Sequence, residues 1–260
     1  MRLLSEPDAE ELIDEQIAYY RARAPWYDDW WYRRGQHERD RDGDGGYTDR
    51  WYQDVDAMLA DFEAWITATR PQRVLELASG TGEFTRRMLA QGVHVTAVDA
   101  SPEVHEISAS KLDDESRARV EYVEADLFSW RPAATFDAVV FGFWLSHVPR
   151  GRVDAFWTLV HSALAPGGQV WLTDDAPPER WWDQNVLERP ANPRIVEGAF
   201  SRLDRETDVH ERSLPDGRTF KLVKRFLDPS ELERELNARG FDARITTTDW
   251  AFIIGRLTRR

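Results

Sequence analysis

Apolar residues recur at helical spacing in the first quarter of the chain. Leu12, Ile13, Ile17 and Tyr20 mark one such segment over Pro7 to Ala24. Trp51, Val55, Met58, Leu59, Phe62 and Ile66 mark another over Asp49 to Ala68. A recurrence of three to four residues gathers these side chains on one face, so two amphipathic helices are predicted. Pro25 has no N–H to continue the first helix and is read as its stop. Between the helices, Pro25 to Tyr47 is aromatic, charged and glycine-rich, and reads as irregular.

Beyond Pro71 the pattern changes to short β-rich runs alternating with helices. Strands are predicted at Arg73 to Ala78, His94 to Asp99, Val120 to Ala125, Phe136 to Phe143 and Gln169 to Thr173. Helices fall at Gly82 to Gln91, after Ser101-Pro102 (an N-cap and N1 pair) and at Arg152 to Ala165. Strands spaced by helices of this length imply parallel βαβ units in an α/β fold. The rhythm breaks over Asp174 to Ser213, rich in Trp, Pro and Arg, and Val209 to Phe226 reads as a hairpin around Pro215-Asp216-Gly217. Asp228-Pro229-Ser230-Glu231 opens a capped helix that Gly240 closes. Two last runs, Ala243 to Thr248 and Ala251 to Thr258, are joined by a turn too short for a crossover helix, so they must be antiparallel. There is no internal repeat.

Composition narrows the function. The 260 residues carry a net charge of -13, which argues against a nucleic-acid partner, since phosphate binding needs a basic stripe. No apolar run approaches the roughly 20 residues that span a bilayer, and the N-terminus shows no basic-then-apolar leader, so a cytoplasmic protein without membrane contact is expected, as monomer or homodimer. With no cysteine there is neither disulfide framework nor thiolate chemistry. The His residues show no metal spacing. Twelve Trp, many clustered in Trp26 to Trp51 and at Trp181 and Trp182, form either core or the walls of an apolar pocket.

Four candidate site elements lie at C-terminal ends of predicted parallel strands, where such sheets bind ligands. The first is Val74-Leu75-Glu76-Leu77-Ala78-Ser79-Gly80-Thr81-Gly82-Glu83-Phe84, a strand running through a glycine turn into a helix. Its glycines let backbone approach a ligand closely. Thr85 stands where the third glycine of the dinucleotide fingerprint would be, which weakens a pyrophosphate reading. Asp99, ending the second strand, can accept both hydroxyls of an adenosine ribose. Asp126, after the third strand, can meet an adenine edge. The fourth element is the buried strand emptying through Gly142 and Phe143. Any one of these could equally be a structural turn or cap; their order along the chain carries the weight.

In that order these motifs resemble the class I S-adenosylmethionine-dependent methyltransferases, from about Tyr19 to the C-terminus. Leu75-Glu76-Leu77-Ala78-Ser79-Gly80-Thr81-Gly82 is similar to the family's glycine motif, Asp99-Ala100 to its ribose position, and Asp126-Leu127 to its adenine position. Gly142-Phe143 matches the position after strand four, and Ala165-Pro166-Gly167-Gly168 the step before strand five. The resemblance implies a Rossmann-like, seven-stranded, mostly parallel sheet with an antiparallel last strand and helices on both faces. It implies S-adenosylmethionine as cofactor and a small-molecule acceptor with an O, N or C nucleophile. The implied cofactor contacts are Ala78, Gly80, Gly82, Asp99, Ala100, Asp126, Leu127, Gly142 and Phe143. Glu76 is implied near the methionine end, or else as a support for the turn. Residues 1–70 are read as an N-terminal helical extension and lid, with Tyr20 and Tyr27 over the cofactor. Residues 71–260 form the methyltransferase domain, with an acceptor-pocket insertion at about 174–226.

His147, in Leu145-Ser146-His147-Val148-Pro149, follows strand four beside the expected methyl position and could act as a general base, or simply line the loop. Asp174, Asp175, Trp181 and Trp182 are expected to shape the acceptor pocket. Asp40-Arg41-Asp42-Gly43-Asp44-Gly45 begins like a calcium loop, but Trp51 stands where the bidentate glutamate belongs, so no metal is expected. A nicotinamide oxidoreductase, a non-catalytic cofactor-binding protein and a non-methylating user of the same cofactor, such as a cyclase, are the alternatives.

Overall fold

Buried aliphatic runs build the sheet and the helices dock their apolar stripes on it. The computed structural model describes residues 6–34, 47–177 and 208–260, with side chains from 9 and from 50 onward in the first two stretches. Two helices come first, α1 (Glu6–Trp31) and α2 (Tyr47–Thr69). The alternating part runs β1 (Arg73–Leu77), α3 (Glu83–Ala90), β2 (His94–Asp99), α4 (Pro102–Ser110), α5 (Asp114–Arg117), β3 (Val120–Glu124), β4 (Phe136–Gly142), α6 (Val153–Ala163) and β5 (Leu164–Asp175). A hairpin of β6 (Val209–Ser213) and β7 (Thr219–Val223) precedes α7 (Pro229–Ala238), β8 (Phe241–Thr247) and β9 (Phe252–Arg259).

Seven strands form one sheet in the order β3-β2-β1-β4-β5-β9-β8. The pairs from β3 to β5 are parallel, and β9 enters antiparallel to both β5 and β8. The expected antiparallel insertion is present. Strand order reverses between β1 and β4, and such a switch point opens a crevice at the strand ends. The stripe of α2 lies against the sheet through Met58, Phe62 and Ile66, with the Phe62 ring 4.7 Å from Trp171 of β5. Asp54 of α2 pins the β8–β9 turn: its Oδ2 accepts from Thr248 Oγ1 at 2.6 Å, Trp250 N at 2.9 Å and Ala251 N at 2.5 Å.

Two local expectations change. α1 does not stop at Pro25 but continues through it to Trp31. Pro25 sits on the exposed face, where water can satisfy the carbonyl of Arg21 that loses its helical donor. Tyr52 of α2 donates to Trp30 O at 2.8 Å and so holds the last turn in place. Ser101 precedes α4 as expected, but its hydroxyl donates to the Glu103 carboxylate at 2.8 Å and makes no cap. Asp228 does cap α7, its Oδ1 accepting from Glu231 N at 2.8 Å. Trp181, Trp182 and the Asp40 to Gly45 run lie outside the described residues.

Candidate active site

The turn after β1 carries Ala78, Gly80 and Gly82 at φ of 51°, 52° and 83°, so the backbone winds left-handed three times in five residues. Gly80 N donates to Asp99 Oδ2 at 2.9 Å, and Ser101 N donates to Asp99 Oδ1 at 3.0 Å. Each carboxylate oxygen is thereby aimed by a backbone amide. Burial pushes the Asp99 carboxyl up to about 6 despite the backbone N–H groups of Gly80, Ser101 and Ala100 that favour its charge. A Cβ on Gly80 would meet only the Tyr27 ring at 3.9 Å, so what favours glycine here is the φ and the open space above. Gly82 differs. A Cβ there would fall 2.0 Å from Ser108 Oγ of α4, so this glycine serves the packing of α3 on α4 and is absent from the cleft wall.

A cleft opens above the turn. On the sheet side it is lined by Ala78, Gly80, Asp99, Ala100, Asp126, Leu127, Gly142 and Phe143, and on the α1 side by Tyr20 and Tyr27. Ten of the thirteen residues singled out from sequence therefore meet in one place. Asp126 Oδ1 accepts from Phe128 N at 3.1 Å, which leaves its other oxygen for a ligand. Trp144 also lines the cleft, and its buried indole N–H has no partner among the described residues. Open backbone at Gly80, a paired-acceptor carboxylate and a spare buried donor fit a ligand with ribose hydroxyls and a ring acceptor.

Glu76, Gly82 and His147 are the three that do not line the cleft. Glu76 is 1% exposed beneath the turn, where Thr85 Oγ1 donates to its Oε2 at 2.5 Å. Burial pushes its carboxyl up to about 8, against the pull of the Thr85 hydroxyl and amide. Thr85, which replaces the third glycine, thus has a job as partner to this acid. His147 sits in a single 3₁₀ turn, Leu145–His147, after β4. Its Nε2 lies 3.0 Å from Tyr20 Oη and its Nδ1 2.5 Å from Val223 O, so Tyr20 stands between it and the cleft. Burial, and then the charge of Lys224, hold the imidazole well below its usual value.

Several residues of the site went unread in the sequence. Gln16 of α1 donates from Nε2 to His147 O at 3.2 Å and accepts from Val223 N at 3.0 Å. Arg21 donates from Nη2 to Ala100 O at 2.8 Å. Lys111 pairs with Asp28 at 2.6 Å and donates to Thr81 O at 2.7 Å, strapping α1 across the glycine turn. Lys224 Nζ lies 2.6 Å from Asp175 Oδ2, 3.5 Å from Asp174 Oδ1 and 2.9 Å from Ser146 Oγ. Burial would lower this ammonium, but the carboxylates of Asp175 and Asp174 more than offset it and hold it above its usual value. Asp174 and Asp175, expected as acceptor-pocket walls, instead anchor this buried cluster and are absent from the cleft lining. No sequence signal joins these residues, because every one of the contacts bridges distant segments.

Comparison with known proteins agrees with this geometry. Residues 74–168 match the model of a family described as "Methyltransferase domain". A demethylmenaquinone methyltransferase from Clavibacter sepedonicus is 34% identical over 110 residues, 41% of this chain and 42% of that protein. The chain thus spans only about two fifths of such curated relatives. Solved structures extend further: DhpI bound to S-adenosylhomocysteine is 31% identical, covers 95% of this chain and 97% of its own, and superposes with a TM-score of 0.68. A DhpI complex with S-adenosylmethionine and HEP is 32% identical, with the same coverage and a TM-score of 0.66. On its strand order, its site and these likenesses, the chain belongs to the class I S-adenosylmethionine-dependent methyltransferases.

Proposed function

We propose that the protein transfers a methyl group from S-adenosylmethionine to a nucleophilic atom of a small-molecule acceptor. One observation carries the reading: on a single cleft, amides of Gly80 and Ser101 aim both oxygens of Asp99 beside open left-handed backbone. Asp99 would accept the ribose hydroxyls, Asp126, Leu127 and Trp144 would meet the adenine, and the turn from Ala78 to Gly80 with Tyr27 would take the methionine end. The bound cofactor supplies an electrophilic methyl group on a sulfonium. Around it the chain aligns the reactants and excludes water, which can offset several kcal/mol of barrier.

α1 is the cover of the cleft. Its Tyr20 and Tyr27 line it, and Arg21, Asp28 and Gln16 tie it down on three sides. Residues 1–70 then act as the cover and 71–260 as the catalytic domain. A cleft covered by a helix suits a small-molecule acceptor, and a net charge of -13 disfavours nucleic acid. The Clavibacter relative is named for demethylmenaquinone, itself a small molecule. His147 is assigned as the base that takes up a proton as the acceptor loses its own, with Tyr20 standing between it and the cleft. Incubation with S-adenosylmethionine and a metabolite library, read by mass spectrometry, should yield S-adenosylhomocysteine and a methylated product in equal amounts. Cofactor consumption without any methylated product would overturn methyl transfer.

A further inference from the structure

His147 is locked with one nitrogen away from the cleft. A carbonyl oxygen only accepts hydrogen bonds, so the Nδ1 that lies 2.5 Å from Val223 O carries the ring proton. Nε2 is then a bare lone pair. Its neighbour at 3.0 Å is Tyr20 Oη, so the phenol donates to the imidazole. Gln16 fixes this arrangement from both ends by holding His147 O and Val223 N. Tyr20 lines the cleft and His147 does not. With its only proton committed to His147, Tyr20 Oη has lone pairs alone to offer a molecule in the cleft.

We propose that Tyr20 is the catalytic residue that touches the acceptor, receiving the proton of a hydroxyl, and that His147 is the positioning residue behind it. This deepens the methyl-transfer reading and rests on it. The acceptor atom gains the carbon that the sulfonium loses, and the pair of the broken C–S bond stays on sulfur. The acceptor's proton passes to Tyr20 Oη as Tyr20's own proton passes to His147 Nε2, and the imidazolium then releases it to solvent. Tyr20 ends the step a neutral phenol, as it began. Burial holds that phenol well above its usual value, so no free tyrosinate is stored and both protons move together. The groups that face His147 are Tyr20 of α1, Lys224 beyond β7, Asp175 of β5 and Arg212 of β6. The burial and the Lys224 charge keep the ring neutral at rest, while Asp175 favours the imidazolium. A methylated hydroxyl is an oxonium, far more acidic than imidazolium, so even a weakened imidazole takes the proton once the methyl has moved. Tyr20 thereby selects acceptors whose attacking atom bears a hydrogen.

The test uses the full chain with S-adenosylhomocysteine bound and ¹⁵N-labelled histidine. The expected spectrum shows His147 protonated on Nδ1 and bare on Nε2, with the Nε2 resonance moving in Tyr20→Phe. A protonated Nε2, or ring nitrogens blind to Tyr20→Phe, would overturn the proposal. In a second arm, acceptors carrying O–H are set against matched carboxylates and other oxyanions, followed as S-adenosylhomocysteine released. Turnover should come from the first set and fall on the order of 10²–10⁴-fold in Tyr20→Phe, with S-adenosylhomocysteine affinity unchanged. Turnover confined to oxyanions, or a Tyr20→Phe enzyme as fast as the parent, also overturns it. Wild-type protein inert toward both sets would count against methyl transfer itself, and the nitrogen spectrum would then decide the Tyr20–His147 arrangement by itself.

Discussion

The two walls of the cleft are made by different means. On the cofactor side Asp99 is held by amides nineteen and two residues away, and the turn needs only glycine-compatible dihedral angles. Opposite it, Tyr20 and Gln16 line the cleft and are held from behind: Tyr20 by His147, 127 residues away, and Gln16 across gaps of 131 and 207, while Lys224 reaches Ser146 across 78. The first wall is backbone geometry fixed within one βαβ unit. The second exists only after α1, the 3₁₀ turn and β7 have come together, so its side chains serve the fold and the chemistry at once. Damage to the two walls should therefore look different.

The sharpest contrast comes from Lys224→Met. Removing the ammonium leaves Asp174, 0% exposed, without its cation, and breaking a buried pair of this kind costs about 3–5 kcal/mol. Denaturant melts should show that loss, with S-adenosylhomocysteine affinity of the folded fraction kept; an unchanged midpoint would show that the second wall is not a unit. His147→Ala should lower turnover on the order of 10²–10⁴-fold while leaving cofactor affinity nearly intact. A fall of only a few fold would reduce His147 to packing. On the cofactor side Gly82→Ala should destabilise by about 2–4 kcal/mol, since a Cβ at φ 83° is strained and meets Ser108 Oγ at 2.0 Å. Full stability in that variant would contradict the packing role assigned to this glycine.

The smallest effect is one of pH. The raised Asp99 value means that its carboxylate takes a proton as pH falls through about 6. S-adenosylhomocysteine affinity should then weaken roughly three- to tenfold below that point, one charge-assisted hydrogen bond being lost. For the unliganded protein, Glu76 acts with its own sign. An acid raised from 4.5 to about 8 on folding contributes stability that is present below 4.5 and lost as pH rises toward 8. Glu76→Gln should flatten that slope in melts recorded across the window, and an unaltered slope would contradict the buried, protonated state.

This difference in construction also explains what could be read in advance. The β-α alternation, the β8–β9 pairing and the conjunction of Ala78, Gly80, Asp99 and Asp126 are short-range patterns, and each recurs in the structure. Gly82 and Glu76 were legible as motif members but not as packing and support, because their partners Ser108 and Thr85 are chosen by tertiary contact. α1 past Pro25 was misread because a proline on an exposed face breaks only one hydrogen bond, while Tyr52 and Lys111 restore the segment from elsewhere. Lys224 gave no signal at all. A lone lysine at the end of a strand acquires meaning only from the carboxylates and hydroxyl brought to it.

Calorimetric titration of S-adenosylhomocysteine into the wild-type protein and Asp99→Ala tests the central claim most directly. The account predicts tight binding to the wild type, none of comparable strength for NAD, and a loss of roughly 1.5–3 kcal/mol in the variant at neutral pH. Equal affinity of the two proteins for S-adenosylhomocysteine would contradict the placement of the ribose on Asp99, and with it the orientation of the cofactor in the cleft.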